Sequence, residues 1–166
     1  MMFNLHRFSS LESLIVRRQQ LRAEGKTLVL TNGCFDLLHA GHVYALEEAA
    51  RLGDILWVGI NSDASVRRLK GPSRPIYSQN ARAYLLTALN VVQDVFIFEN
   101  THLAQEISAL QPDVYVKSGD YTLEKLNPLE RKALDACGAE IHFIPFLEGW
   151  STTHTIKTIC SDGRDC

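Results

Sequence analysis

Five short apolar runs, set between segments of helical period, leave this chain few folds to choose from. The runs are Leu28–Thr31, Ile55–Ile60, Val95–Phe98, Val114–Lys117 and Glu140–Ile144. The second reads ILWVGI and is apolar almost throughout, as a strand covered on both faces must be. Helices are expected at Gly41–Leu52 (Val43, Leu46 and Ala50 on one side), Ala64–Leu69, Ala81–Leu89, Leu103–Leu110 and Leu129–Cys137. Pro128 near the start of the last of these and Gly138 after its end punctuate it. Another helix precedes the first strand. Ser9 and Glu12 are spaced as a capping box, Leu11, Leu14, Ile15 and Leu21 follow at roughly helical spacing, and Gly25 stops the run. A final helix is expected from near Ser151 to about Cys160, with 161–166 a frayed tail. Such alternation predicts an α/β fold, a doubly wound five-stranded parallel sheet with helices on both faces. A chain of 166 residues suits a single domain, residues 1–160.

Ligands of doubly wound sheets bind beyond the C-terminal ends of the strands, and the residues that carry chemistry fall there. His39 and His42 follow strand one, in TNGCFDLLHAGH. Asn61-Ser62-Asp63 and Lys70 follow strand two, Lys117, Gly119 and Asp120 strand four, and Ser151-Thr152-Thr153 strand five. The two histidines are three residues apart at a helix start, so their rings share one face. That spacing also suits a helix cap, a metal pair or plain polar surface. No Cys, Glu or third His stands at helical spacing on their face to complete a ligand set, and a helix start offers free N–H groups and a positive dipole end to an anion. Phosphate is therefore the preferred partner. Gly41, with no side chain, would let a nucleotide lie against the helix start.

Other residues stay open between a site role and a plain one. Lys70 and Arg74 suit either a phosphate or a solvated loop, and a loop carrying Lys70 would be mobile. Arg82 could be an ordinary surface charge. Asp36 and Asp63 could be turn formers, Asp36 alternatively orienting a phosphate-binding group or Mg²⁺. Lys117, at a strand end before Ser118-Gly119-Asp120, is placed to meet an anion. Ser151-Thr152-Thr153 serves equally as an N-cap or as a phosphate-binding helix start. Cys34 reads as a small buried residue without a base beside it. Trp57 and Trp150 read as core or pocket-wall aromatics.

Bulk properties narrow the partners. A net charge of -2 gives no support to a nucleic-acid binder. No apolar run is long enough to span a bilayer, and MMFNLHRFSSLESLIVRRQQ lacks a signal-peptide core. The four cysteines, Cys34, Cys137, Cys160 and Cys166, show no CxxC spacing, so neither zinc nor a disulfide framework is indicated. The cytoplasm is the expected setting.

GCFDLLHAGH resembles the signature of the HxGH nucleotidyltransferases, and His39-Ala40-Gly41-His42 fills it. TNGCFDLLHAGH, INSDASVRRLKG, SRP followed by Arg82, VKSGDY and EGWSTT occur in order across roughly residues 10–160. This set is similar to the D-glycero-D-manno-heptose 1-phosphate adenylyltransferases of ADP-heptose synthesis. The resemblance implies a Rossmann-like sheet of the HxGH type and, since the sugar kinase fused to many relatives is absent, a stand-alone transferase. Two departures bear on the acceptor. Ile76-Tyr77-Ser78-Gln79-Asn80-Ala81 replaces the usual Pro and acidic residue before Arg82, and Lys117-Ser118-Gly119-Asp120-Tyr121 replaces KGGDY.

The implied reaction joins ATP and a heptose 1-phosphate into ADP-heptose and pyrophosphate by direct transfer, with Mg²⁺ shielding the triphosphate. His39, His42, Lys70 and Lys117 would be catalytic. The nucleotide would lie against Asn32, Gly33, Cys34, Phe35, Asp36, Gly41, Asn61, Asp63, Arg82, Gly119, Asp120, Ser151, Thr152 and Thr153, with no residue assigned to a protein-held metal. A nucleoside triphosphate and a sugar phosphate are the expected partners, without nucleic acid or membrane, and family likeness suggests a homodimer. Cytidylyltransferases acting on glycerol 3-phosphate or phosphoethanolamine resemble the same segments. They favour an RTxGxSTT pattern, and here Phe146-Leu147-Glu148-Gly149-Trp150-Ser151 lacks the Arg. Class I aminoacyl-tRNA synthetases share a similar histidine motif, but this chain is short and lacks a KMSKS-like loop. A non-catalytic nucleotide-binding module is the alternative of another class.

Overall fold

The computed structural model describes residues 8–150 together with Thr152, Thr155 and Ile156. In chain order its elements are α1 Leu11–Ala23, β1 Leu28–Gly33, α2 Ala40–Ala50, β2 Ile55–Asn61, α3 Asp63–Lys70, α4 Gln79–Thr87, β3 Asp94–Phe98, α5 Ala104–Leu110, β4 Val114–Ser118, α6 Pro128–Cys137 and β5 Glu140–Ile144. The five strands form one sheet in the order β3-β2-β1-β4-β5, every neighbouring pair parallel. The sheet grows outward from β1 through β2 to β3, and the chain then returns to add β4 and β5 on the other side of β1. The crevice between the ends of β1 and β4 is thus the switch point, where such sheets bind ligands.

Period-two alternation splits each strand between two cores. Leu28, Leu30, Trp57, Phe96, Phe98 and Tyr115 pack on one face with Leu14 and Leu21 of α1, Ile107 and Leu110 of α5, and Ala133 and Leu134 of α6. Val29, Leu56, Val58, Ile60, Val95, Val114 and Val116 pack on the other with Ala45, Leu46 and Ala49 of α2 and Ala83 and Leu86 of α4. Trp57 is therefore a core residue, and no helix among the described residues is long and apolar enough to cross a membrane.

Several boundaries differ from the sequence expectation. β1 runs on to Gly33, β2 to Asn61 and β4 to Ser118, because the ladder continues through polar residues: Asn32 pairs with Gly59, Asn61 with Phe98, and Ser118 with Ile144. The N-cap of α1 is Ser10, whose side chain accepts from the Ser13 N–H. Ser9 instead donates its hydroxyl to Asp94, at 2.7 Å. α4 starts at Gln79 rather than Ala81, because Ser78 caps it. The expected last helix and tail lie outside the described residues, except that Thr152, Thr155 and Ile156 are helical.

Candidate functional site

A cavity of about 340 Å³ opens at the switch point. Its floor is made by strand ends: Asn32, Gly33 and the following Cys34 from β1, Asn61 from β2, and Lys117 and Ser118 from β4. Asp36, His42, Lys70, Arg74 and Thr152 close its walls. A second cavity, about 230 Å³, shares His42, Lys70, Ser118 and Thr152 with the first and adds His39, Gly41, Phe146 and Trp150. His42 and Lys70 thus stand between a polar chamber and one walled by aromatic rings. Phe35 lines a smaller hollow beside them, also with His42.

His39 is the N-cap residue of α2, in extended conformation, and His42 lies in the first turn. Their imidazoles stack with centroids 3.8 Å apart and planes 19° apart. The Trp150 ring lies roughly parallel to His39, with centroids 6.3 Å apart, and the Phe35 ring lies 5.2 Å from His42. The sequence gives Gly41 the task of admitting a ligand. In the structure a Cβ there would come within 3.1 Å of both the His39 ring and the Trp150 Cβ, so Gly41 makes room for the stack itself. The His39 side chain does not cap α2, and its first turn holds no acidic residue. Ser10, Ser62, Ser78 and Asn127, by contrast, cap α1, α3, α4 and α6 with their side chains. The α2 start therefore keeps donors for an anion beside the two rings.

Burial pushes both histidines below their ordinary values, and His42 goes to about 4, helped by the neighbouring His39 and Lys70 charges. Near neutrality the pair is uncharged, each ring keeping one N–H group. As pH falls from 6.5, the unfolded chain takes up a proton that folded His42 refuses until about pH 4. Stability is whole above pH 6.5 and is lost between there and about 4. Denaturant unfolding at pH 7.5 and pH 5 is expected to show an extra loss of about 2 kcal/mol in the parent chain relative to His42→Asn. Superimposable pH profiles of the two proteins would show that His42 meets no such cost.

Lys117 is the best-anchored cation of the site. Its Nζ donates to Asn32 Oδ1 at 2.8 Å and to the Tyr115 hydroxyl at 3.1 Å, and lies 3.4 Å from Glu130 Oε2. Burial lowers its pKa, and Glu130 opposes that shift. Lys70, the last residue of α3, is exposed at the rim of both cavities. The expected mobile loop after it is tied down. Buried Asp36 accepts N–H bonds from Ile76 at 2.7 Å and Tyr77 at 3.1 Å and pairs with the Arg74 guanidinium. Asp36 is thus the post that holds the 74–77 loop as a cavity wall. Its carboxylate is occupied in doing so, and among the described residues no three His, Cys, Asp or Glu side chains group as metal ligands.

Three residues expected against the nucleotide, Arg82, Asp63 and Asp120, are engaged with other partners and do not line the cavity. Arg82 is fully buried behind the cavity, where it donates to Cys34 O at 2.6 Å, Tyr77 O at 3.1 Å and Asp63 Oδ1 at 2.8 Å. Its partner Asp63 is likewise spent on this pair. Asp120 points to solvent and pairs with Lys125 at 2.9 Å. Gly119 is buried at φ +126, with its α-carbon turned to the Phe146 ring. Asn61 lines the cavity as expected, held by its Nδ2 bonds to Ser65 Oγ and the Asn100 carbonyl. Burial raises the Cys34 thiol pKa, so it stands as a neutral thiol. Thr152 lines both cavities, while Ser151 and Thr153 lie outside the described residues. Sequence reasoning missed Tyr115 and Glu130, which hold Lys117 from behind. A tyrosine in an apolar strand reads as core, and a glutamate in a first helical turn reads as a solvated partner of the dipole.

Residues 30–158 match the family model described as cytidylyltransferase-like. The chain is 48% identical over 138 residues to the bifunctional protein HldE of Trichlorobacter lovleyi, covering 83% of this chain and 28% of that protein. It is 44% identical over 153 residues to the bifunctional protein HldE of Geotalea uraniireducens, covering 92% and 31%. The chain therefore spans under a third of these relatives. Among solved structures it is similar to the lipopolysaccharide core biosynthesis protein of Thermoplasma volcanium, with TM-score 0.60 and 27% identity over 74% of this chain and 98% of that one. The HxGH pair, the sheet order, the site at the switch point and the family match converge: the chain belongs to the cytidylyltransferase-like family of nucleotidyltransferases.

Proposed function

We propose that this chain joins ATP and a heptose 1-phosphate into ADP-heptose and pyrophosphate. The observation that carries the reading is the stacked His39–His42 pair, set with Lys70 and Thr152 on the boundary between the two cavities. A triphosphate laid along that boundary has its α-phosphorus beside the imidazoles. An acceptor phosphate oxygen then attacks from the polar chamber. The new P–O bond forms as the bond to the β-bridging oxygen breaks, and pyrophosphate leaves with that electron pair. Neutral imidazole N–H groups and the open α2 start stabilise charge on the moving phosphoryl oxygens, and Lys70 and Lys117 neutralise donor and acceptor phosphates. Holding both reactants in line supplies the rest. Mg²⁺ enters with the triphosphate as part of the substrate, since Asp36 is already engaged.

Two findings support a sugar phosphate as acceptor. The solved relative is described as acting in lipopolysaccharide core biosynthesis, and the segment Glu148-Gly149-Trp150 departs from the Arg-bearing cytidylyltransferase pattern. The test crosses ATP, CTP, GTP and UTP with heptose 1-phosphate anomers, glycerol 3-phosphate and phosphoethanolamine, all with Mg²⁺, reading pyrophosphate and product mass. ADP-heptose from ATP and one heptose 1-phosphate anomer is the expected result. A CDP-linked product would move the chain to the cytidylyltransferases. Nucleotide binding without product in any well would favour a regulatory module.

A further inference from the structure

Behind the cavity floor, a buried charged network backs the Lys117 ammonium. Glu130, in the first turn of α6, is 2% exposed. One of its oxygens accepts the Leu103 N–H at 2.8 Å, at the start of α5. The other lies 3.4 Å from both the Tyr115 hydroxyl and Lys117 Nζ. Tyr115, fully buried, also reaches Asn32 Oδ1 at 2.8 Å. Of these four residues only Asn32 and Lys117 line the cavity. A lysine side chain 11% exposed holds its charge poorly without a counter-charge, and within the network Glu130 is the carboxylate that supplies it.

We propose that Glu130 is a positioning residue for transfer. Its carboxylate fixes the Lys117 ammonium at the cavity floor, with Tyr115 and Asn32 setting the direction in which it meets a phosphate. The proposal rests on the reading of the cavity as the transfer site. The bond to Asn32 is short, whereas those to Tyr115 and Glu130 are longer. The ammonium can therefore turn a proton toward an incoming anion while its counter-charge keeps it in place. The groups facing Lys117 are Glu130 of α6, Tyr115 of its own strand, Tyr121 of the loop after β4 and Cys34 of the turn after β1. Glu130 in turn faces Glu106 of α5.

Glu130→Gln keeps the shape and the acceptor for Leu103 but removes the charge. Its effect is read first without substrate, by NMR titration of the lysine side chains, the Lys117 signal assigned by its absence from Lys117→Met. The midpoint is expected to fall in Glu130→Gln and to lie between that value and the parent's in Glu130→Asp, which also serves if the Gln variant does not fold. In turnover assays the alkaline limb of kcat/KM is expected to move to lower pH, with a loss of roughly 10- to 100-fold, the scale for removing a partner that orients a working group. An unchanged Lys117 midpoint and alkaline limb, with only a lower Tm, would overturn the proposal and leave Glu130 as a tie between helices. Because the titration needs no reaction, it reads Glu130 even if the parent chain makes no nucleotide sugar.

Discussion

Replacing His42 by alanine is expected to lower turnover by about a hundred- to a thousandfold, while the protein still folds. The loss corresponds to roughly 3–4 kcal/mol, the usual cost of removing one donor aimed at charge that develops in a transition state. His42 lines both cavities of the site and stacks on His39 at 3.8 Å, so no other side chain can fill its place without disturbing the pair. The fold tolerates the change because burial already disfavours this imidazole in its charged form, and its ring lines the cavities at the C-terminal edge of the sheet. His39→Ala should fall on the same scale. Pyrophosphate release at saturating ATP, alongside a thermal melt, decides the matter. A drop below about tenfold with an unchanged melt would remove the histidines from the chemistry.

The second large effect concerns stability. Arg82→Ala is expected to cost about 3 kcal/mol or more, since it strands Asp63 and two carbonyls that the buried guanidinium now satisfies. For a chain of this size, that lowers Tm by about 6–12 °C. Arg82→Lys should not rescue it, because a single ammonium cannot serve three partners arranged around a planar fork. The family resemblance implies Arg82 as a nucleotide contact, and that role predicts the opposite pattern: a raised KM for ATP with Tm nearly unchanged. Melts and ATP kinetics on the same variant separate the two.

That contrast shows what sequence reading reaches. The strands and the helices between them follow from apolar periodicity, because burial against a sheet leaves a local trace in the chain. Convergence of His39, His42, Lys70 and Lys117 on one edge follows from strand polarity in a parallel sheet. What local pattern cannot convey is where a polar side chain finds its partner. Arg82 and Asp120 look alike as charged residues near the ligand edge. The first is buried under the turn after β1, and the second pairs with Lys125 in solvent. Asn32 and Asn61 look like loop residues, yet their backbones stay in the ladder, and this holds their side chains steady at the cavity. Ser9 and Ser10 both suit a helix cap, and only the contact of Ser9 with Asp94 decides between them. Tyr115 and Glu130 acquire meaning only when β4 and α6 lie side by side.

The return of the chain to the far side of β1 also governs how the site comes into being. Asn32 and Lys117 touch across 85 residues of sequence, as do Thr31 and Val116 beneath them. The loop-closure entropy of that long segment must be met before the cavity has a floor. The strands β1, β2 and β3 can associate through nearer neighbours, whereas the cavity floor is complete only once β4 has docked. A ligand spanning His42 and Lys117 therefore bridges the two halves of the sheet, and by linkage its binding free energy adds to the stability of the whole fold. Amide protons of β1 and β4 should slow in exchange together when nucleotide is added, as one cooperative unit rather than as two loops tightening separately.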